Sequence, residues 1–136
     1  EESLKENVKL IIKPHPSITI ENFLASVPES KNLAITDKNM HELLEICSVM
    51  ISSTSSSCVE AVSVGIPVAI YGNRYGVTLN PIPANVPNRM WEIFYTKSEL
   101  TLFISKAIVQ KGRHSIASDL FHPISKEGVR ELFTLS

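Results

Sequence analysis

The feature that most constrains the fold is an alternation of short apolar runs with amphipathic stretches of helical period. The first run, Val8 to Lys13, is stopped by Pro14 and Pro16, because proline ends a strand and restricts the residue before it. The same pattern then repeats along the chain. It predicts further strands at 33–36, 49–52, 67–71 and 90–95, and helices at 17–27, 39–47, 56–64, 97–110 and 125–133.

Strands that alternate with helices are typical of βαβ units, whose strands run parallel in one sheet. We therefore predict an α/β fold, a three-layer Rossmann-like open parallel sheet with helices on both faces. Gly65 is expected at the C′ position of the helix over 56–64, where a left-handed residue commonly ends a helix. The apolar spacing also predicts that one face of the helix over 17–27 turns to the core, with Ile20, Phe23, Leu24 and Val27 on it.

Composition bounds the size and the class of the domain. The chain has 136 residues, 43% of them hydrophobic and 20% charged, which is typical of one globular domain, so we predict a single domain over 1–136. The net charge of -1 argues against nucleic acid as a partner held by bulk charge. No apolar run approaches the roughly 20 residues of a membrane-spanning helix. We expect a cytoplasmic location, with any membrane attachment made by parts of the protein outside these residues.

Polar residues collect directly after four of the predicted strands. His15 follows the first strand, Asn39 the second, a serine-rich run at 52–57 the third and Arg74 the fourth. Open parallel sheets bind ligands outside the carboxyl ends of their strands. The sequence therefore predicts one site, built from these four loops.

The serine-rich run is the most informative part of this edge. Helix N-termini offer unpaired N–H groups and the positive end of the helix dipole, and small hydroxyls let a phosphate approach closely. The alternative is a plain N-cap with additional solvated serines. The candidate phosphate ligands are Ser53, Thr54, Ser55, Ser56 and Ser57.

Three more side chains are candidates for the same site. Glu60 lies one helical turn beyond Ser56, where its carboxylate would accept bonds from ribose hydroxyls, or would only complement the helix dipole. His15, between two prolines, would donate to a phosphate oxygen, or would only cap a turn. Arg74 would meet a ligand charge or remain a solvated loop cation.

Several common chemistries lack their motifs. The chain contains no GxxxxGK[ST], no GxGxxG after a strand and no GxSxG, which argues against a P-loop, a dinucleotide site and an α/β-hydrolase. Cys47 and Cys58 have no metal-ligand spacing. We expect no metal and no tightly bound cofactor.

Three segments together resemble a known family. KPHP at 13–16, SSTSSS at 52–57 and EAVSVGIPV at 60–68 resemble the C-terminal, donor-binding half of GT-B glycosyltransferases, over nearly the whole chain. The HP and double-serine elements look more particularly like those of bacterial sialyltransferases and polysialyltransferases, and of CDP-glycerol transferases. The resemblance implies that Ser55, Ser56, Ser57 and Glu60 bind the diphosphate and ribose of a sugar nucleotide, and that His15 contacts the leaving phosphate.

By the same resemblance the chain is part of a larger two-domain enzyme of surface polysaccharide synthesis. Its partners would be a sugar nucleotide, with CMP- and CDP-linked sugars as the candidates, an N-terminal acceptor-binding domain of the same chain, and a glycan or lipid-linked acceptor. The missing half would supply the catalytic base, so these residues alone are expected to be inactive. Two alternatives stay open: an enzyme like the UDP-N-acetylglucosamine 2-epimerases, and a non-catalytic flavodoxin-like interaction domain.

Overall fold

A computed structural model describes residues 8–15, 17–25, 30–109 and 116–120. Within these ranges the protein is α/β, with parallel strands and intervening helices. The elements in chain order are β1 (Leu10–Ile12), α1 (Ile20–Leu24), β2 (Leu33–Ile35), α2 (Met40–Ile46), β3 (Met50–Ser52), α3 (Ser57–Ser63), β4 (Val68–Tyr71), a 3-10 turn (Asn88–Met90), β5 (Trp91–Phe94), α4 (Lys97–Val109) and α5 (Ala117–Leu120).

The chain divides into two compact units, residues 1–46 and 47–136. In the first unit β1 and β2 form a parallel pair with Leu10 opposite Leu33 and Ile12 opposite Ile35. The ladder continues by one bond beyond the strands, where the Thr36 N–H donates to the Ile12 carbonyl at 3.0 Å. The carboxyl ends of both strands therefore lie at the same edge of this small sheet.

The second unit contains a parallel sheet in the order β3-β4-β5. Ser52 pairs with Ile70, and Tyr71 pairs with Phe94. β4 is central, and its first three residues have no exposed surface, as expected of a parallel strand covered on both faces. The α/β class and the parallel strands are confirmed, but the described strands form two small sheets where the sequence predicted one.

Helix α3 ends in a C-cap with glycine at the C′ position, just before β4. Gly65 has φ 83°, its N–H donates to the Val62 carbonyl at 3.1 Å, and the Ile66 N–H donates to the Ala61 carbonyl at 2.9 Å. These are the two bonds of a Schellman motif, whose left-handed residue is preferentially glycine. The predicted C′ role of Gly65 is confirmed.

The core of the second unit lies on both sides of β4. Cys58, Ala61 and Val62 of α3 are fully buried, while Phe103 and Ala107 of α4 pack in a cluster with Ala69 and Phe94. Among the described residues, no helix combines the length and the apolar composition needed to cross a bilayer.

Two predictions concern parts of the chain outside this core: the apolar face of α1 and a last helix at 125–133. Leu24 of α1 is exposed and Phe23 only half-buried, so the predicted burial is wrong for Leu24 and only partial for Phe23. Val27 and the side chain of Ile20 lie outside the described part of the chain. The predicted last helix, at 125–133, lies outside the described residues. The short helix α5 (Ala117–Leu120) was not predicted.

Candidate functional site

The turn between β3 and α3 carries the serine run and is built by Ser55. The Ser55 hydroxyl accepts a bond from the Ser57 N–H at 3.3 Å and donates to the Ser57 hydroxyl at 3.1 Å. Ser56 already has helical dihedral angles and makes no capping bond with its side chain. Ser55 is therefore the capping residue of α3, whereas the exposed Ser56 is not used to build the turn.

The main-chain donors of this turn are largely paired within it. The Cys58 N–H donates to the Ser55 carbonyl at 3.1 Å, and the Val59 N–H donates to the Ser56 carbonyl at 2.9 Å. With the Ser57 N–H on the Ser55 hydroxyl, three successive N–H groups have partners. The prediction that this helix start offers unpaired N–H groups is therefore wrong for these three.

Cys58 packs in the core directly after the serine-rich turn. Its side chain is completely buried, and its thiol lies 3.8 Å from the Ser53 carbonyl. Burial raises the pKa of the Cys58 thiol, since a buried thiolate loses its hydration. The residue is a packing element that holds the serine run against the core.

Glu60 lies on the exposed side of α3. Its main-chain carbonyl accepts bonds from the Ser63 hydroxyl at 2.7 Å and from the Val64 N–H at 3.3 Å. These bonds use the backbone of Glu60 and leave its carboxylate in solvent. The side chain is thus presented on the surface one turn beyond the serines.

Arg74 is held at the carboxyl end of β5. Its Nε donates to the Tyr95 carbonyl at 2.9 Å, so it is tied to the main chain rather than freely solvated in the loop. Glu99 accepts bonds from the Tyr95 and Thr96 N–H groups at 2.7 and 2.9 Å. The Tyr95 N–H lowers the pKa of Glu99 most, and the charge of Arg74 lowers it further.

The same carboxylate belongs to a capping box that sequence reasoning missed. The Thr96 hydroxyl accepts the Glu99 N–H at 3.2 Å while Glu99 bonds back to the Thr96 N–H. The signal was present as T-x-x-E before an apolar run. Arg74 bonds to the Tyr95 carbonyl and Glu99 accepts the Tyr95 N–H, so both side chains are held by the main chain of the same residue.

His15 belongs to the first unit, after β1. The Ser17 N–H donates to His15 Nδ1 at 3.2 Å, and the Ser17 hydroxyl lies 2.7 Å from the same nitrogen. Because Nδ1 accepts from a main-chain N–H, the neutral ring carries its proton on Nε2. The ring is exposed, so a fixed Nε2–H donor faces away from the bond that anchors it.

Asn39 follows β2 in the same unit and caps α2. Its side-chain oxygen accepts the Glu42 N–H at 3.0 Å, and its own N–H donates to the Glu42 carboxylate at 3.0 Å. This is a capping-box arrangement with Asn in the first position. Capping accounts for Asn39 without a ligand.

The predicted site residues fall into two groups. Because β3, β4 and β5 are parallel neighbours, the loops after them meet at one edge of the second unit. That edge holds Ser53, Thr54, Ser55, Ser56, Ser57 and Arg74, with Glu60 on the adjoining helix. His15 and Asn39 lie at the carboxyl edge of the first unit, and a single site shared by both groups stays a prediction.

No group of three or more metal-ligating side chains occurs in the part of the chain that the structure describes. Comparison of the chain with protein-family models, with curated proteins and with solved structures finds no match. The resemblance to glycosyltransferases therefore depends on the motifs alone, and their residues must be tested directly.

Proposed function

We propose that the chain is the nucleotide-binding domain of a glycosyltransferase that uses a nucleotide-activated sugar, CMP- or CDP-linked, in surface polysaccharide synthesis. In this proposal the two described sheets belong to one three-layer GT-B half. The observation that carries the proposal is the position of Glu60. Its carboxylate is exposed, while its motif neighbours Ala61 and Gly65 serve packing and helix termination.

The phosphate contacts of the donor come from hydroxyl groups. Ser53, Thr54 and Ser56 are exposed beside the capping residue Ser55. Because the N–H groups of 57–59 are paired in the turn, the proposal assigns phosphate contacts to these three exposed hydroxyls. Glu60, one turn along, accepts bonds from the two ribose hydroxyls.

The reaction is a displacement at the anomeric carbon. The acceptor hydroxyl oxygen forms the new glycosidic bond, and its proton passes to a base in the acceptor-binding part of the enzyme. The bond between the anomeric carbon and the phosphate oxygen breaks, and its electron pair stays on the phosphate. Donors aimed at that oxygen stabilise the developing charge, typically by ~3 kcal/mol each.

His15 is the proposed donor to the leaving phosphate. Its Nδ1 accepts the Ser17 N–H, so the neutral ring has Nε2–H available as a donor. A preorganised donor costs no reorganisation when charge develops. Arg74, fixed on the Tyr95 carbonyl, adds positive charge at the edge that holds the serines.

An amide NMR titration of the chain with CMP, CDP, UDP and AMP tests the proposal. We expect shifts at Ser53 to Glu60 and at His15, larger with the two cytidine nucleotides than with AMP. A preference for UDP would indicate that the donor is a uridine-linked sugar and not a cytidine-linked one. Absence of shifts at 53–60 with all four nucleotides would contradict the proposal.

A further inference from the structure

The loop between β4 and the 3-10 turn divides its apolar side chains between the core and the surface. Ile82 and Val86 are buried, with exposed fractions of 6% and 3%, whereas Tyr75, Val77 and Leu79 have exposed fractions of 97%, 82% and 64%. Single exposed apolar side chains are common on protein surfaces, but three of them within five successive residues form a group that needs an explanation. The loop is thus packed on the domain in one part and displays apolar side chains in another.

The part of the loop that displays them is held by hydrogen bonds. The Asn73 N–H donates to the Thr78 hydroxyl at 2.9 Å, and the Tyr75 N–H donates to the Asn73 side-chain oxygen at 2.9 Å. Arg74 ties the start of the loop to the Tyr95 carbonyl at 2.9 Å. A segment that is already held in place loses less conformational entropy when it binds.

The charges of this part of the chain have one sign. Residues 61–91 contain no Asp or Glu, and their charged side chains are Arg74 and Arg89. Arg74 directly precedes Tyr75 and is exposed. The nearby acid Glu99 is engaged with two main-chain N–H groups of its own helix start. Exposed apolar side chains beside a cation are complementary to a surface that is negative outside and apolar inside, as an anionic bilayer is.

The geometry points to a membrane-surface contact made by the exposed segment, residues 75–79. In this contact Val77 and Leu79 enter the boundary between the headgroups and the acyl chains. Tyr75 lies among the headgroups, where its ring is apolar and its hydroxyl stays wet, and Arg74 meets lipid phosphates. The occupant is a bilayer that contains anionic lipid. The inference does not depend on the proposed function, and it assigns membrane attachment to residues of this chain, where the sequence suggested attachment from outside it.

The exposure of these side chains favours a bilayer over a protein partner. Protein–protein interfaces have a densely packed core that matches the shape of the partner. Side chains that are 97% and 82% exposed, as Tyr75 and Val77 are, have few neighbours of their own with which to form such a core. A bilayer receives each side chain separately and requires no matching shape, so protruding side chains on a held loop suit it.

Co-sedimentation of the whole chain with lipid vesicles tests the inference. One set of vesicles is phosphatidylcholine mixed with phosphatidylglycerol, and the other is phosphatidylcholine alone. We expect binding that is stronger with phosphatidylglycerol and about tenfold weaker in Leu79→Ser and in Val77→Ser, the scale of exposing one buried aliphatic side chain. The matched controls are Leu102→Ser and Val109→Ser in α4, whose side chains are 55% and 77% exposed, and both should bind as the original chain does.

Amide NMR with a spin-labelled lipid in the vesicles locates the contact. We expect the strongest broadening at 75–79, with the amide spectra of all four variants otherwise matching the original chain, because each changes an exposed side chain. Absence of vesicle binding, binding no stronger with phosphatidylglycerol, equal binding in all four variants, or broadening centred elsewhere would each overturn the inference. Self-association that is lost in Leu79→Ser, without vesicle binding, would overturn it in favour of a second copy of the chain. Nucleotide shifts at 53–60 are measured without lipid, so either proposal can fail while the other stands.

Discussion

The buried and exposed sides of helix α3 differ in how completely the fold explains them. On the buried side, Cys58, Ala61 and Val62 have no exposed surface, and Gly65 and Ile66 close the helix. On the exposed side, neither the Ser56 hydroxyl nor the Glu60 carboxylate builds the helix or its turn. Part of the motif at 60–68 thus follows from packing, and the rest needs another explanation.

Two acidic residues of the second unit differ in how far hydrogen bonds within the fold explain them. Glu99 and Glu60 are both acids in the first turn of a helix. Glu99 accepts two main-chain N–H groups and sits near Arg74. The Glu60 carboxylate caps no main-chain N–H group in the described turn. Glu60 is therefore the better candidate for ligand binding.

The largest expected loss of stability follows from a substitution on the buried side, at the end of α3. Ile66→Ala removes a fully buried side chain and should lower the free energy of unfolding by about 2–5 kcal/mol, measured by urea denaturation. Val64→Ala, at an exposed position of the same helix end, is the control and should cost much less. Equal losses in the two variants would contradict the assigned packing.

A smaller loss of stability is expected for one of two adjacent serines and not for the other. Ser55→Ala removes the hydroxyl that accepts the Ser57 N–H and should cost about 1 kcal/mol of unfolding free energy, the usual scale of an N-cap. Ser56→Ala should leave stability unchanged, because its side chain makes no capping bond. A larger loss in Ser56→Ala than in Ser55→Ala would show that the capping residue is misassigned.

The smallest effect concerns Glu99 and depends on pH. Because the pKa of Glu99 is lowered in the folded protein, its contribution to stability is present above the pKa of the unfolded chain and is lost as pH falls through the folded pKa. Glu99→Gln should therefore be less stable than the original chain at neutral pH, and the gap should narrow on acidification. Glu92→Gln, which removes the carboxylate of an exposed acid of β5, is the matched control for the loss of one negative charge.

Strand and helix positions were predictable where apolar period and turn residues agreed. The strand expected at 67–71 is Val68–Tyr71, and the helix expected at 97–110 is Lys97–Val109, within the usual uncertainty at element ends. The exposure of Leu24 was not predictable, since period alone identifies an apolar face but not what covers it. The same limit applies to the number of sheets, because pairing between strands distant in sequence leaves no local signal.

The positions of the candidate residues after β3 and β4 were predictable, but the hydrogen bonds that they make were not. A run of serines gives no sign of which one caps the helix, and the choice of Ser55 depends on the dihedral angles of Ser56. Nor does sequence show that the N–H groups of 57–59 find partners in the turn. Arg74 looked like a loop cation because its acceptor, the Tyr95 carbonyl, lies 21 residues away in the chain.

The central claim is that the exposed side of α3 binds a nucleotide, and Glu60→Gln tests it most directly. CDP would be titrated against Glu60→Gln and the control Glu92→Gln, with amide shifts at 53–60 as the readout and thermal unfolding to verify the fold. The account predicts unchanged unfolding in both variants and affinity reduced at least about tenfold only in Glu60→Gln, since hydrogen bonds to a charged group contribute roughly 1.5–3 kcal/mol. CDP binding of equal affinity in both variants would contradict it.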